Sequence, residues 1–245
     1  MARRAARNRA RRRPRALLID AMGTLVTLQA PAPRLRRELA VRFGIDICER
    51  EAAAALAAEI AFYRAHMGEG RDDQTLRALR LRCARALAAA LPALRDTDDE
   101  QVLAALLASL RFVAFEDARA ALLAVRARGV RVVAVSNWDV SVLDMLERVG
   151  LAPLLHGAVC SAVIGAAKPT PAIFAHALSE AGAAPSDALH VGDSVAEDVA
   201  GARAAGIEPV LLDRSGSGER VEGVRTIFGL DELDWPPVRP RVAGP

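Results

Sequence analysis

The sequence predicts a doubly wound α/β fold, a parallel sheet covered on both faces by helices, with an all-helical segment inserted after the first strand. Three observations carry this. Short apolar runs rich in Val, Ile and Leu recur along the chain without the alternation of a half-exposed strand, as in strands buried on both faces. Helical stretches separate them, each followed by Gly at or near its end as a stop signal. The rhythm breaks once, after the first run, where about a hundred residues of Ala, Leu, Arg and Glu follow helical spacing.

The first strand is expected at 16–20. The insert then runs from Pro31 to Ala114, entered through the prolines at 31 and 33 and left near 112–115, where periodicity lapses. Its helices fall near 35–43, 50–66, 75–90 and 98–110 and resemble a small bundle. Leu56, Ile60, Tyr63, Leu76, Leu79, Cys83 and Leu87 keep an apolar stripe through the Ala-rich stretches, which argues against low complexity. Strands follow at 131–136, 157–161, 188–191 and 209–213, with helices at 118–128, 140–149, 171–181 and 197–205. The domain reading is a tail at 1–15, an α/β core at 16–30 and 115–230, the helical insert at 31–114, and a C-terminal tail at 231–245. The segment after Asp213, rich in Gly, Ser and Arg and then Pro, carries no motif.

At 245 residues and 52% apolar composition, the chain can bury one core plus a smaller inserted module. No apolar run approaches the roughly 18–20 residues needed to span a bilayer. The formal net charge of +3 is misleading, because eight arginines lie in residues 1–15 and leave 25 basic against 30 acidic side chains in the remainder. Such a tail suits nucleic acid or an anionic membrane, but a disordered extension or an upstream start codon is the plainer reading. It is not a secretory signal, because the apolar stretch at 16–19 is too short and runs into acidic residues. Cys48, Cys83 and Cys160 lack the even count and close spacing of a disulfide framework or zinc site. Reduced thiols in a cytoplasmic protein are expected. Of 33 basic side chains only Lys168 is a lysine.

In an open parallel sheet, ligands bind beyond the carboxyl ends of the strands, and four strand ends here carry polar residues. The first ends in Asp20, followed by Ala21, Met22, Gly23 and Thr24; the second in Ser136 and Asn137; the third leads through Gly165 to Lys168; the fourth ends in Gly192 and Asp193, with Asp198 five residues on. This set suits phosphoryl transfer. A carboxylate at a strand end facing a tight Gly turn can attack phosphorus and divide one hard hydrolysis into two easier steps. The Ser136 hydroxyl, backbone N–H groups of the turn and the Lys168 ammonium would bind the equatorial oxygens as their charge develops. Asp20, Asp193 and Asp198 gathered at one spot repel each other unless a divalent cation lies between them, and hard oxygen ligands suit Mg²⁺.

The four segments, in this order over roughly residues 15–213, resemble the motifs of the haloacid dehalogenase superfamily, and the helical insert resembles its cap. SNWD at 136–139, GAAKPTPAIF at 165–174 and HVGDSVAEDVAGARAAGI at 190–207 are most similar to the subfamily with a helical cap after the first motif, including phosphoglycolate-phosphatase-like and REG-2-like proteins. The resemblance implies Asp20 as nucleophile, Ser136 as phosphoryl-binding hydroxyl and Lys168 as charge neutraliser. It implies Mg²⁺ held by Asp20, Asp193, Asp198 (directly or through water) and the main-chain carbonyl of Met22. Met22 departs from the family pattern, which places there a second aspartate that protonates the leaving oxygen and later activates water. General acid–base help of that kind is typically worth ~10²–10⁴ in rate.

Thr24, Asn137, Tyr63, Arg64 and His66 are candidate substrate contacts. Thr24 suits stabilising its own turn equally well, and Asn137 suits positioning its own loop. In the cap, Tyr63, Arg64, His66 and Arg71 cluster at a helix end and a loop with Gly68 and Gly70. His156, His176 and His190 lack metal-ligand spacing and read as structural. The expected partner is a small phosphorylated molecule, with no specific nucleic acid, no membrane, and a monomer or homodimer. Two alternatives stand beside a phosphatase: 2-haloacid dehalogenation, where the departing halide needs no proton, and a phosphate-pocket binding protein that has lost catalysis.

Overall fold

The computed structural model describes residues 14–233; the readings for 1–13 of the basic tail and for 234–245 lie outside the described residues. Strand β1 (Ala16–Ile19) enters the middle of a six-stranded sheet, and Val26–Leu28 forms a short β2. Four helices follow: α1 (Ala32–Phe43), α2 (Glu49–His66), α3 (Asp73–Ala90) and α4 (Asp99–Ser109). The chain returns through β3 (Phe112–Ala114), α5 (Ala118–Arg126), β4 (Arg131–Ser136), α6 (Val142–Arg148), β5 (Gly157–Cys160) and the single turn α7 (Ser161–Ile164). It continues with α8 (Pro171–Ala181), β6 (Ala188–Gly192), a π turn (Val195–Val199), α9 (Ala200–Ala204), β7 (Glu208–Leu212) and β8 (Arg225–Ile227).

The sheet order is β5-β4-β1-β6-β7-β8, and every pair in it is parallel. Because successive side chains on a strand point to opposite faces, the apolar strands feed two cores. Leu17, Ile19, Val132, Ala134, Val191, Val210 and Leu212 pack with Ala118, Leu122 and Val125 of α5 and Leu146 of α6. Leu18, Val133, Val135 and Val159 pack on the other face with Ile173, Phe174, Ala177 and Leu178 of α8. This is the doubly wound arrangement. Complete burial of each such side chain contributes ~1.5–3 kcal/mol, so both helical layers are fixed to the sheet chiefly by this apolar contact. The direction of winding reverses at β1, with β4 and β5 to one side and β6, β7 and β8 to the other, and the crevice beyond its carboxyl end is therefore where a ligand has room.

The insert holds a third core of its own, in which Leu35 and Leu39 of α1, Leu56 of α2, Leu79, Cys83 and Leu87 of α3, and Val102 and Leu106 of α4 interdigitate. Its helices begin on side-chain caps where the sequence provides them: Asp72 accepts from Thr75 N, and Asp98 from Glu100 N and Gln101 N. No helix among the described residues is long and apolar enough to cross a membrane.

Three features depart from the sequence reading. β2 and β3 pair antiparallel, Val26 opposite Ala114 and Leu28 opposite Phe112, and tie together the two chain segments linking sheet and insert. β8 extends the sheet past β7. The helix expected from residue 197 opens instead as the π turn, because the Ser194 carbonyl accepts from both Asp198 N and Val199 N.

Candidate active site

β1 delivers Asp20 to the sheet edge, where its N–H donates to the Val191 carbonyl of neighbouring β6 at 2.9 Å. The chain then reverses in a tight turn in which Leu25 N and Val26 N both donate to the Ala21 carbonyl and Gly23 N to the Val26 carbonyl. Gly23 has φ +81°, in the region that favours glycine. A Cβ there would lie 2.0 Å from Asp193 Oδ2. The glycine lets the turn close and lets Asp193 approach it.

Lys168 reaches into the crevice and donates from Nζ to Asp20 Oδ1 and to Asp198 Oδ1, each at 2.6 Å. Asp198 Oδ1 also meets His190 Nε2 at 2.8 Å, and Oδ2 accepts from Ser194 N at 3.1 Å. The π turn swings Asp198 inward, and Gly192, where a Cβ would lie 2.1 Å from Asp198 Cγ, leaves it the space. Asp20, Lys168, His190 and Asp198 are all buried. Charges so placed persist only when paired.

Their titration follows. Burial, reinforced by the charge of Asp198, pushes the Asp20 carboxyl up to about 7 against the attraction of Lys168. Burial also opposes charge on Lys168 and Asp198, but there the opposite charges win: the two carboxylates raise the ammonium, and Lys168 followed by His190 holds Asp198 well below the usual carboxylate range. His190 is lowered by its burial and is a neutral donor to Asp198 at neutral pH. Asp193 stays exposed at the rim, yet partial desolvation and then Asp198 raise it.

Asp20, Asp193 and Asp198 each offer a carboxylate oxygen, all within 4.8 Å of one another. Asp20 Oδ2 is buried and has no hydrogen-bond partner among the described residues. The Met22 carbonyl accepts no hydrogen bond among the described residues. An orphaned carboxylate oxygen amid hard oxygen donors fits a magnesium ion.

The other predicted residues divide. Ser136 ends β4 beside Cys160, buried. Thr24 is fully buried, its hydroxyl without a partner. Asn137 grips the Lys168 main chain in both directions, donating to its carbonyl at 3.0 Å and accepting from its N–H at 2.7 Å, and donates to Glu197 at 2.9 Å. Its amide thus supports the segment that carries the lysine. Tyr63 donates to Asp139 Oδ2 at 2.8 Å. His66 stacks on Phe62, with Nδ1 2.7 Å from the Phe62 carbonyl, and Arg64 is exposed. Among the described residues neither makes a hydrogen bond to the Asp20 cluster.

Two residues escaped sequence reasoning. Asp139 lies inside SNWD but had no role. Arg214, one residue beyond the last predicted strand, pairs with Asp117 through both terminal nitrogens, donates to the Thr24 carbonyl at 2.8 Å, and lies 3.9 Å over the Phe115 ring. A charged residue next to a strand end was the available signal.

Residues 14–206 match the family model of haloacid dehalogenase-like hydrolases. Haloacid dehalogenase-like hydrolase domain-containing protein 3 of Bos taurus is 40% identical over 97 residues, 40% of this chain and 39% of that protein. Phosphoserine phosphatase of Thermus thermophilus is 35% identical over 132 residues, 50% of this chain and 53% of that protein. The matches thus span well under two thirds of these relatives. The solved structure of a HAD phosphatase from Thermococcus onnurineus shares the fold at a TM-score of 0.60 and 24% identity, covering 89% of this chain and 95% of that one.

Proposed function

This chain belongs to the haloacid dehalogenase-like hydrolases, and from that premise we propose that it is a Mg²⁺-dependent phosphatase of a small phosphorylated metabolite, working through an aspartyl-phosphate on Asp20. The observation that supports this most is Asp20 itself, a buried carboxylate held through one oxygen by Lys168 while the other has no partner. In this reading residues 16–30 and 115–230 are the catalytic core and 31–114 the cap that selects substrate.

One carboxylate oxygen of Asp20 is the attacking atom: it bonds to phosphorus as the ester oxygen departs. Lys168 keeps Asp20 oriented and offers its remaining N–H to a phosphoryl oxygen. The Ser136 hydroxyl donates to a second oxygen, and Asn137 fixes the lysine segment. Asp20, Asp193, the Met22 carbonyl and Asp198, directly or through water, would hold Mg²⁺, which would supply charge neutralisation for nucleophile and phosphate alike. Water then attacks phosphorus and regenerates the Asp20 carboxylate.

Met22 shapes the substrate range. Its side chain packs, half-buried, against the apolar core and cannot carry a proton. Leaving groups stable as anions, phenolates or carboxylates, therefore suit this site better than simple alkoxides. The same absence favours a second reading, carbon–halogen hydrolysis, in which halide departs unprotonated.

One panel separates these readings. Phosphate release from a range of phosphoesters is measured with Mg²⁺ and with EDTA, beside halide release from 2-haloacids, for the wild type and Asp20→Asn. The proposal predicts Mg²⁺-dependent phosphate release that Asp20→Asn abolishes. Halide release indifferent to EDTA would replace it with the second reading.

A further inference from the structure

The loop after β4 carries more than Ser136 and Asn137. Asp139, 3% exposed, divides its carboxylate between two elements. Oδ1 accepts from Ser141 N at 2.8 Å and from the Ser141 hydroxyl at 2.6 Å, both local. Oδ2 accepts at 2.8 Å from the hydroxyl of Tyr63, on helix α2 of the cap and the single tyrosine of the chain. One residue on, Val140 N donates at 2.9 Å to the carbonyl of Gly70, in the loop that follows α2. A Cβ on Gly70 would lie 3.0 Å from Asp139 Cβ, so the close approach of the two loops depends on glycine. Next to Asp139, Trp138 is buried with its ring edge-on to Phe112 of β3, the strand on which the chain leaves the cap.

We propose that Tyr63 and Asp139 form a latch that holds the cap on the core, and that Asp139 is a positioning residue coupling cap closure to the loop bearing Ser136 and Asn137. This rests on the reading of that loop as the phosphoryl-binding loop. A carboxylate withdrawn from water must have its lone pairs satisfied. Here the local donors serve one oxygen, and the cap must serve the other. When the cap lifts, Tyr63 leaves Oδ2, the Val140–Gly70 bond breaks, and water takes their place. Both states satisfy the carboxylate, as an element with two discrete arrangements requires. Only the closed one ties residues 137–141 to the cap, so closing the cap and fixing the loop that grips Lys168 are one event. Burial, and then the charge of Asp139, push the Tyr63 phenol above its ordinary range; the hydroxyl stays a donor at every neutral pH. Tyr63 accordingly contributes to the reaction by docking on Asp139.

Hydrogen exchange read by mass spectrometry tests this in the full chain, without substrate, for wild type, Tyr63→Phe, Asp139→Asn and the double variant. Amides in 137–142 and 67–71 are expected to exchange about tenfold faster in each single variant, the order a charge-assisted hydrogen bond supports. The double variant should be no faster than the singles, with β4 unchanged in all. With p-nitrophenyl phosphate and Mg²⁺, Tyr63→Phe should lower kcat/KM by about tenfold, mainly through KM, because a less populated closed state weakens apparent binding. Gly70→Ala, a wedge between the loops, should act alike. Unchanged exchange in Tyr63→Phe, or losses that multiply in the double variant, would overturn the latch. If the wild type hydrolyses no phosphoester while exchange behaves as stated, the phosphatase reading fails and the latch stands.

Discussion

At the scale of single residues, the proposed phosphatase reaction is shaped most by Met22. Met22 follows Asp20, the proposed nucleophile, by two positions and lies against apolar neighbours, in place of the aspartate that would serve the leaving oxygen in that reaction. Met22→Asp is expected to raise kcat on simple alkyl phosphates toward ~10²-fold, the lower end of what positioned acid–base groups provide. It should change the phosphorylation step with p-nitrophenyl phosphate little, since that leaving group departs as an anion. Pre-steady-state kinetics on the two substrates checks the split; equal effects on both phosphorylation rates would show that leaving-group protonation is not what Met22 withholds. Much of this residue set was legible in the sequence. Asp20, Lys168, Asp193 and Asp198 follow directly from polar side chains placed at the ends of buried strands. Asp139 and Arg214 were not, because their roles lie in contacts with Tyr63, 76 positions away, and with the Thr24 carbonyl, 190 positions away. No local pattern records such partners.

Among the elements, the turn after β1 places the greatest demand on its residues. Gly23 combines positive φ with the approach of Asp193, whereas Gly44, closing α1, has φ +67° with nothing within 4 Å of its Cβ position. This pair separates backbone strain from site geometry. Alanine at either position should cost about 1–2 kcal/mol for the left-handed backbone, a few degrees in Tm. Only Gly23→Ala should also weaken Mg²⁺ binding measured by calorimetry, because its methyl displaces Asp193. Equal Mg²⁺ affinity in the two variants would remove Asp193 from the metal site. The long elements were read closely from periodicity, while β2, β3 and β8 were not. Each is three residues long, too short for a period-two pattern to show. Their pairing is decided by the segments brought beside them. The π turn escaped for another reason: a single carbonyl shared by two N–H groups leaves the composition of a helix unchanged.

For the whole molecule, three apolar cores account for the architecture: two sandwich the sheet, and the third is enclosed within the cap helices. The interruption of the strand rhythm after β1 was enough to read an insert from the sequence. How the cap meets the core was not, since the hydrogen bonds there, Tyr63 with Asp139 and Val140 with Gly70, join residues about 70 positions apart. In the proposed reaction Asp20, buried at the winding reversal of the sheet, forms a covalent bond to phosphorus. The most direct measurement is peptide mass spectrometry after borohydride quenching of the protein during turnover of p-nitrophenyl phosphate with Mg²⁺, a reagent that reduces an acyl-phosphate to an alcohol. Conversion of Asp20 to homoserine, appearing only during turnover and at no other acid, is the predicted result; undiminished phosphate release with Asp20 unmodified would contradict it.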